Sequence, residues 1–164
     1  MAQYSRKEFE AKVRLGENLE NVDLSNLDLR NAKLRGANLS KSKLTSVRLS
    51  GADLRQTNLS KADMAWANLD RANLEGADLT ETILYDSSLQ EADLSNANLT
   101  RVDLGEANLT KANLTGANLS EAELSQANLT DANLYEADVS GANIDQASTT
   151  KSAVDLRAAT RPDG

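Results

Sequence analysis

Neither cysteine nor histidine occurs in the 164 residues. Without cysteine there is no disulfide, thiolate nucleophile or sulfur-rich zinc site to expect, and without histidine the commonest general base and metal ligand is missing. Catalysis or metal binding would fall to carboxylates alone, and these recur at one repeated position where they serve a strand surface, so no enzyme, cofactor or metal is expected. Proline occurs once, at Pro162, and the aromatic residues are Tyr4, Phe9, Trp66, Tyr85 and Tyr135. No apolar run approaches the roughly 18 residues of a membrane span, and the first residues are charged, so neither membrane insertion nor export is indicated and a cytoplasmic location is expected. Glycine forms no phosphate-binding loop. Gly36, Gly76 and Gly116 recur forty residues apart and read as turn residues. Asn-Leu-Ser/Thr triplets, such as those at Asn98 and Asn108, are by-products of the repeat described next.

What is present is a period of five. From Leu19 to Ile144 there are 26 consecutive pentapeptides, 23 of them centred on leucine, the exceptions being Met64, Val139 and Ile144. Two residues before the centre stands alanine in 17 of the 26, and between them stands asparagine or aspartate in 20. On a helix a leucine every fifth residue advances by about 140° and makes no stripe. On a straight strand it alternates between faces. The chain must therefore turn once per repeat, with alanine and leucine directed into a narrow bore and the other three residues outward.

This A(N/D)LXX pattern resembles the pentapeptide repeat proteins, and most closely their regular, leucine-centred members common in cyanobacteria. The resemblance covers residues 17–146 and implies an all-β fold: a right-handed quadrilateral parallel β-helix, four repeats to a coil, about 6.5 coils in 26 units. Charges supply a check on that register. Lys33, Lys43 and Arg48 intrude into the Asn/Asp column. A twenty-residue step places Lys33 beside Asp53, Lys43 between Asp23 and Asp63, and Arg48 beside Asp28. A fifteen-residue step would set Lys33 against Arg48, and a twenty-five-residue step leaves Lys33 and Lys43 beside asparagine. Arg71, Glu91, Lys111 and Asp131 also alternate in sign at twenty-residue steps.

A solenoid needs closed ends. Residues 1–16 read as a helical cap, with a Ser5/Glu8 capping box, Phe9 and Val13 on one face, and Gly16 as terminator. Residues 147–164, containing "KSAVDLRAATRPDG", read as a C-terminal cap or tail with a short helix stopped before Pro162.

Charge is uneven. Residues 1–55 hold 11 basic and 7 acidic side chains, net +4, and residues 56–164 hold 7 and 18, net −11. The overall −7 speaks against direct nucleic-acid binding. It raises the alternative of DNA mimicry, since some pentapeptide repeat proteins occupy the DNA site of gyrase. A duplex carries one charge per about 1.7 Å, so a rod of about 31 Å would need about 18 negatives, more than the acidic part supplies. The gyrase-binding members also use central phenylalanines and dimerise end to end. This chain has no central phenylalanine, and a monomer is expected. A minor alternative, ice binding, comes from the unbroken hydroxyl column Ser40, Ser60, Thr80, Thr100, Ser120, Ser140.

The expected function is a protein-interaction or structural scaffold module with an unidentified protein partner. Its candidate surface is where the pattern breaks. Trp66 lies two after Met64, and Ile83 and Tyr85 flank Leu84. Met64 and Leu84 are twenty apart, so Ala65, Trp66, Ile83 and Tyr85 should form one outward apolar patch, bordered by Asp63, Asp86 and Asp103. Exposed contiguous apolar surface marks partner sites, and aromatic anchors dominate binding energetics. The competing expectation is that Trp66 and Tyr85 lie against the wall and cover Ile83. Tyr135, on another side, has no such company.

Overall fold

Each repeat carries five backbone N–H groups that need acceptors, and the twenty-residue coil supplies them. The computed structural model describes residues 3–148. The repeat around Leu59 shows the scheme. Asn58 N–H donates to the Ala37 carbonyl in the coil below (3.0 Å), and Leu59 N–H to the Asp78 carbonyl above (2.7 Å). Lys61 N–H reaches the Thr80 carbonyl above (2.9 Å), and Ala62 N–H closes a tight turn onto the Leu59 carbonyl (3.0 Å). The fifth donor, Ser60 N–H, lies between these bonds and takes the Asn58 side-chain oxygen instead (3.0 Å). The Asn/Asp column is therefore structural: it satisfies the one N–H that neither ladder nor turn uses.

Parallel bridges connect residues twenty apart without interruption, from Asp23↔Lys43 to Asn128↔Ser148, one every five residues. Four sides per coil follow directly. The charged intruders fall where the register requires, in the bridges Lys33↔Asp53, Asp23↔Lys43, Lys43↔Asp63 and Asp28↔Arg48. Their ion pairing is more selective. Arg48 approaches Asp28 at 3.5 Å. Asp53 instead holds Arg55, two residues along its own chain, at 2.7 Å. Among the described residues Lys33 and Lys43 make no ion pair, because a flexible ammonium on an open wall gains little by being held.

Every corner, two residues past each centre, has positive φ: 21 corners carry a side chain, and glycines 36, 51, 76, 116 and 141 fill the other five. Positive φ at the third residue of a turn closed by an i to i+3 bond is the type II arrangement. The inward alanines and leucines form one continuous core, with the centres from Leu19 to Val139 buried. Where serine or threonine replaces alanine, the hydroxyl bonds a carbonyl: Thr57 to Leu34 (3.0 Å), Thr82 to Leu59 (2.8 Å) and Ser87 to Leu84 (2.6 Å). No buried side-chain polar atom among the described residues lacks a partner.

Helix α1 (Arg6–Arg14) precedes the coil. Ser5 and Glu8 make a reciprocal capping box, with Leu15 as the C-cap and Gly16 at φ 67° beyond it. Phe9 is fully buried in the core, and Val13 packs against it. This helix is too short and too polar to span a membrane, and no described helix could. The expected C-terminal cap, residues 147–164, lies almost wholly outside the described residues.

Candidate functional site

The patch residues come together on one side of the coil. Ile83 occupies the ladder position and bridges Asp63 on one flank and Asp103 on the other. Trp66 N–H donates to the Tyr85 carbonyl (3.0 Å), which fixes the corner of one coil against the side of the next. Trp66 is 57% exposed and Ile83 43%, so Ile83 is not covered by the aromatic rings. Tyr85 is half-buried. Ala65 differs from expectation. It is only 7% exposed and belongs to the wall rather than to the accessible surface, because a methyl group held close to the backbone is screened by its larger neighbours.

Tyr85 is held by two features. Its hydroxyl donates to Glu106 Oε1 at 2.5 Å, and that carboxylate pushes the phenol pKa up. Its ring lies along Gly105, where an added Cβ would stand 3.2 Å from ring Cδ2. Unlike the corner glycines, Gly105 does not have positive φ. Its use is to make room for the ring. Glu106 was not among the residues singled out from sequence. The twenty-residue step from Trp66 through Asp86 to Glu106 would have found it, since all three share one corner column.

The acidic border is organised by local bonds. Asp63 accepts from Ala65 N–H (3.2 Å) and from the Thr45 hydroxyl (3.3 Å), and Asp103 accepts from Gly105 N–H (3.0 Å). Asp86 sits at a corner with φ 50°, donating its N–H to the Gly105 carbonyl. Ile83 has no oxygen to offer, so Tyr85 N–H lacks the side-chain acceptor that Ser60 and its counterparts have. Ile83 is thus a departure that removes a structural hydrogen bond.

The other candidate surfaces look different at atomic detail. In the hydroxyl column, Ser60, Thr80, Thr100 and Ser140 each donate to the carboxylate or amide oxygen two residues earlier, at 2.5–2.7 Å, and Ser40 is buried. These hydroxyls are turned onto their own wall. Two corner columns carry charge ladders: Lys61–Glu81 (3.5 Å), Arg101–Glu121 (2.7 Å) and Arg71–Glu91 (3.0 Å). An open depression of about 450 Å³ lies where Gly51 notches a corner, lined by Arg30, Asp70, Arg71 and Glu91 and by no patch residue. Among the described residues no three carboxylates converge as a metal site would need.

The comparisons with known proteins agree with this architecture. The sequence profile described as "Pentapeptide repeats" matches in eight copies over residues 18–51, 48–86, 87–126 and 112–148. Among curated proteins no sequence matches significantly. Among solved structures, HetL, a pentapeptide repeat protein involved in heterocyst differentiation regulation from the cyanobacterium Nostoc sp. strain PCC 7120, is 24% identical. The match covers 99% of each chain with a TM-score of 0.53. Full-length QnrB1, a plasmid-mediated fluoroquinolone resistance protein, is 17% identical over 90% of this chain and 85% of its own, with a TM-score of 0.62. At these identities the likeness is one of fold. With the family profile matched along nearly the whole described coil, the chain belongs to the pentapeptide repeat family.

Proposed function

We propose that this protein is a non-enzymatic, cytoplasmic interaction module that docks a protein partner on the Trp66–Ile83–Tyr85 surface. One observation carries the reading: at Ile83 the chain places the single apolar residue of the Asn/Asp column, giving up the side-chain acceptor without putting a charge in its place, and it does so beside its only tryptophan. A local rule broken with no gain to the fold is where function is sought. The remainder of the solenoid serves as a rigid mount for that surface.

The test is a pull-down from the source cell's lysate with the protein and with a Trp66→Ala, Ile83→Asp, Tyr85→Ala variant, after both are shown to fold equally. A partner retained by the first and lost by the second is the expected outcome, and capture should survive moderate salt, since apolar burial is little screened. Equal capture by both, or none by either, removes the surface from consideration.

DNA mimicry of the gyrase substrate is the second reading, favoured by the net −11 of residues 56–164. The ion-paired ladders at Glu81, Glu91 and Glu121 weaken it by neutralising part of that charge. Inhibition of supercoiling near the binding concentration would decide for it. Ice binding is disfavoured by the inward-bonded hydroxyls, and a thermal hysteresis measurement checks it.

A further inference from the structure

The border of the patch bears on what kind of partner fits it, given the interaction reading above. Four carboxylates surround the apolar residues. Asp63 and Asp103 flank Ile83 in the ladder, and Asp86 and Glu106 follow Trp66 up the corner. None of the four has an ion-pair partner among the described residues. Elsewhere Glu20, Asp28, Asp53, Glu81, Glu91 and Glu121 are each held by a lysine or arginine. The cations at the neighbouring corner, which bounds the same side, are committed, Lys61 to Glu81 and Arg101 to Glu121. Lys43 neighbours Asp63 in the ladder without pairing to it.

Uncompensated negative charge thus collects around two aromatic faces. A tryptophan or tyrosine face attracts a cation through its quadrupole, and a nearby carboxylate adds a charge-assisted hydrogen bond. The Tyr85 ring is already fixed by Glu106 and Gly105, so less side-chain freedom is lost when a ligand settles on it.

We infer that the partner presents a basic, apolar-flanked peptide segment, whose lysine or arginine side chain lies over Trp66 and Tyr85 and reaches Asp86 and Glu106 while an adjacent apolar side chain covers Ile83. An acidic segment or a nucleic acid is repelled by the same border. The inference rests on the docking reading, yet it fails separately from it.

Trp66 is the only tryptophan in the chain, so its fluorescence reports this surface alone. Three short peptides identical but for arginine, glutamine or glutamate at the same positions are titrated to millimolar concentration. The arginine peptide should shift Trp66 emission and bind about tenfold or more tighter than the glutamine peptide, with the difference shrinking as salt is raised. The double variant Asp86→Asn, Glu106→Gln should abolish that preference. Its amide at position 106 can still accept from the Tyr85 hydroxyl, so ring placement is retained. Equal binding of arginine and glutamine peptides, preference for glutamate, or no binding by any peptide overturns the inference. If the lysate pull-down still yields a patch-dependent partner, the docking reading stands without it; if capture ignores the patch, that reading fails on its own.

Discussion

At the residue scale the repeat is a set of backbone obligations, and side chains are best understood by which obligation they meet. Asn58 serves two donors, the Ser60 N–H and the Ser60 hydroxyl. Removing it as Asn58→Ala should cost about 1 kcal/mol, the net worth of such a bond together with part of the penalty for an unmet donor. The converse substitution is more informative. Ile83→Asn provides an acceptor for Tyr85 N–H and should raise stability by about 0.5–1.5 kcal/mol while erasing the apolar surface. Urea denaturation of both variants reads these signs. A loss of stability in Ile83→Asn would mean that packing, not function, keeps isoleucine there. Trp66 stands at φ 58°, a backbone conformation that the coil imposes on every corner residue, so its departure from the pattern lies in its exposed ring and not in its backbone.

At the scale of elements, α1 matters through one side chain. Phe9 enters the same cluster as Leu19 and Leu24, and its neighbours on the helix are charged. Phe9→Ala should therefore cost about 3–5 kcal/mol, a large-to-small change in a close-packed core. Hydrogen exchange should show the loss concentrated in the first coil, because repeats in a solenoid contact chiefly their neighbours. The coil itself offers a cleaner separation of fold from surface. Deleting residues 72–76 removes one whole repeat between Trp66 and Ile83 and changes no patch residue. The remaining repeats stay compatible with the coil, but Ile83 and Tyr85 move one side away from Trp66. Partner capture should be lost although circular dichroism is unchanged. Deleting residues 127–131 instead, beyond the patch, should leave capture intact, and a deletion at either place that acts equally on binding would contradict a localised surface.

For the whole molecule the acidic excess has a consequence for stability with pH. Asp23, Asp53, Glu123 and Asp138 are held below the ordinary carboxylate range by the Ser25 N–H, the Arg55 guanidinium, Ser125 and Ser140 respectively, and Asp28 is held lower still by Arg30. Lowered folded-state values mean that the unfolded chain binds more protons on acidification. The stabilisation is present in full above the unfolded values, near about 4, and is lost as pH falls through the folded ones. Melting temperature should be level from neutral pH to about 5 and decline below about 4, with salt altering the decline little where the bonds are to the chain's own N–H groups. A melting temperature that rises on acidification would show that repulsion among the 25 acidic residues outweighs their local bonds.

Sequence alone determined the repeat, the inward pair of alanine and leucine, and the twenty-residue step. The first two follow from periodicity, and the step follows from the resemblance to the pentapeptide repeat family, checked by the one register that sets opposite charges side by side. It also located Trp66, Ile83 and Tyr85 on one side, because a fixed step turns chain position into place on the wall. Other features needed the tertiary structure. The reason for the Asn/Asp column lies in a backbone donor left over after ladder and turn are formed, which no one-dimensional pattern shows. The positive φ of non-glycine corners arises because the coil must turn every five residues whatever stands there. Ala65 sank into the wall, Glu106 captured the Tyr85 hydroxyl, and Lys33 and Lys43 kept their ladder places without forming ion pairs. The repeat fixes each backbone position but not the rotamer of a long side chain, which is set by neighbours a coil away that period and composition leave open.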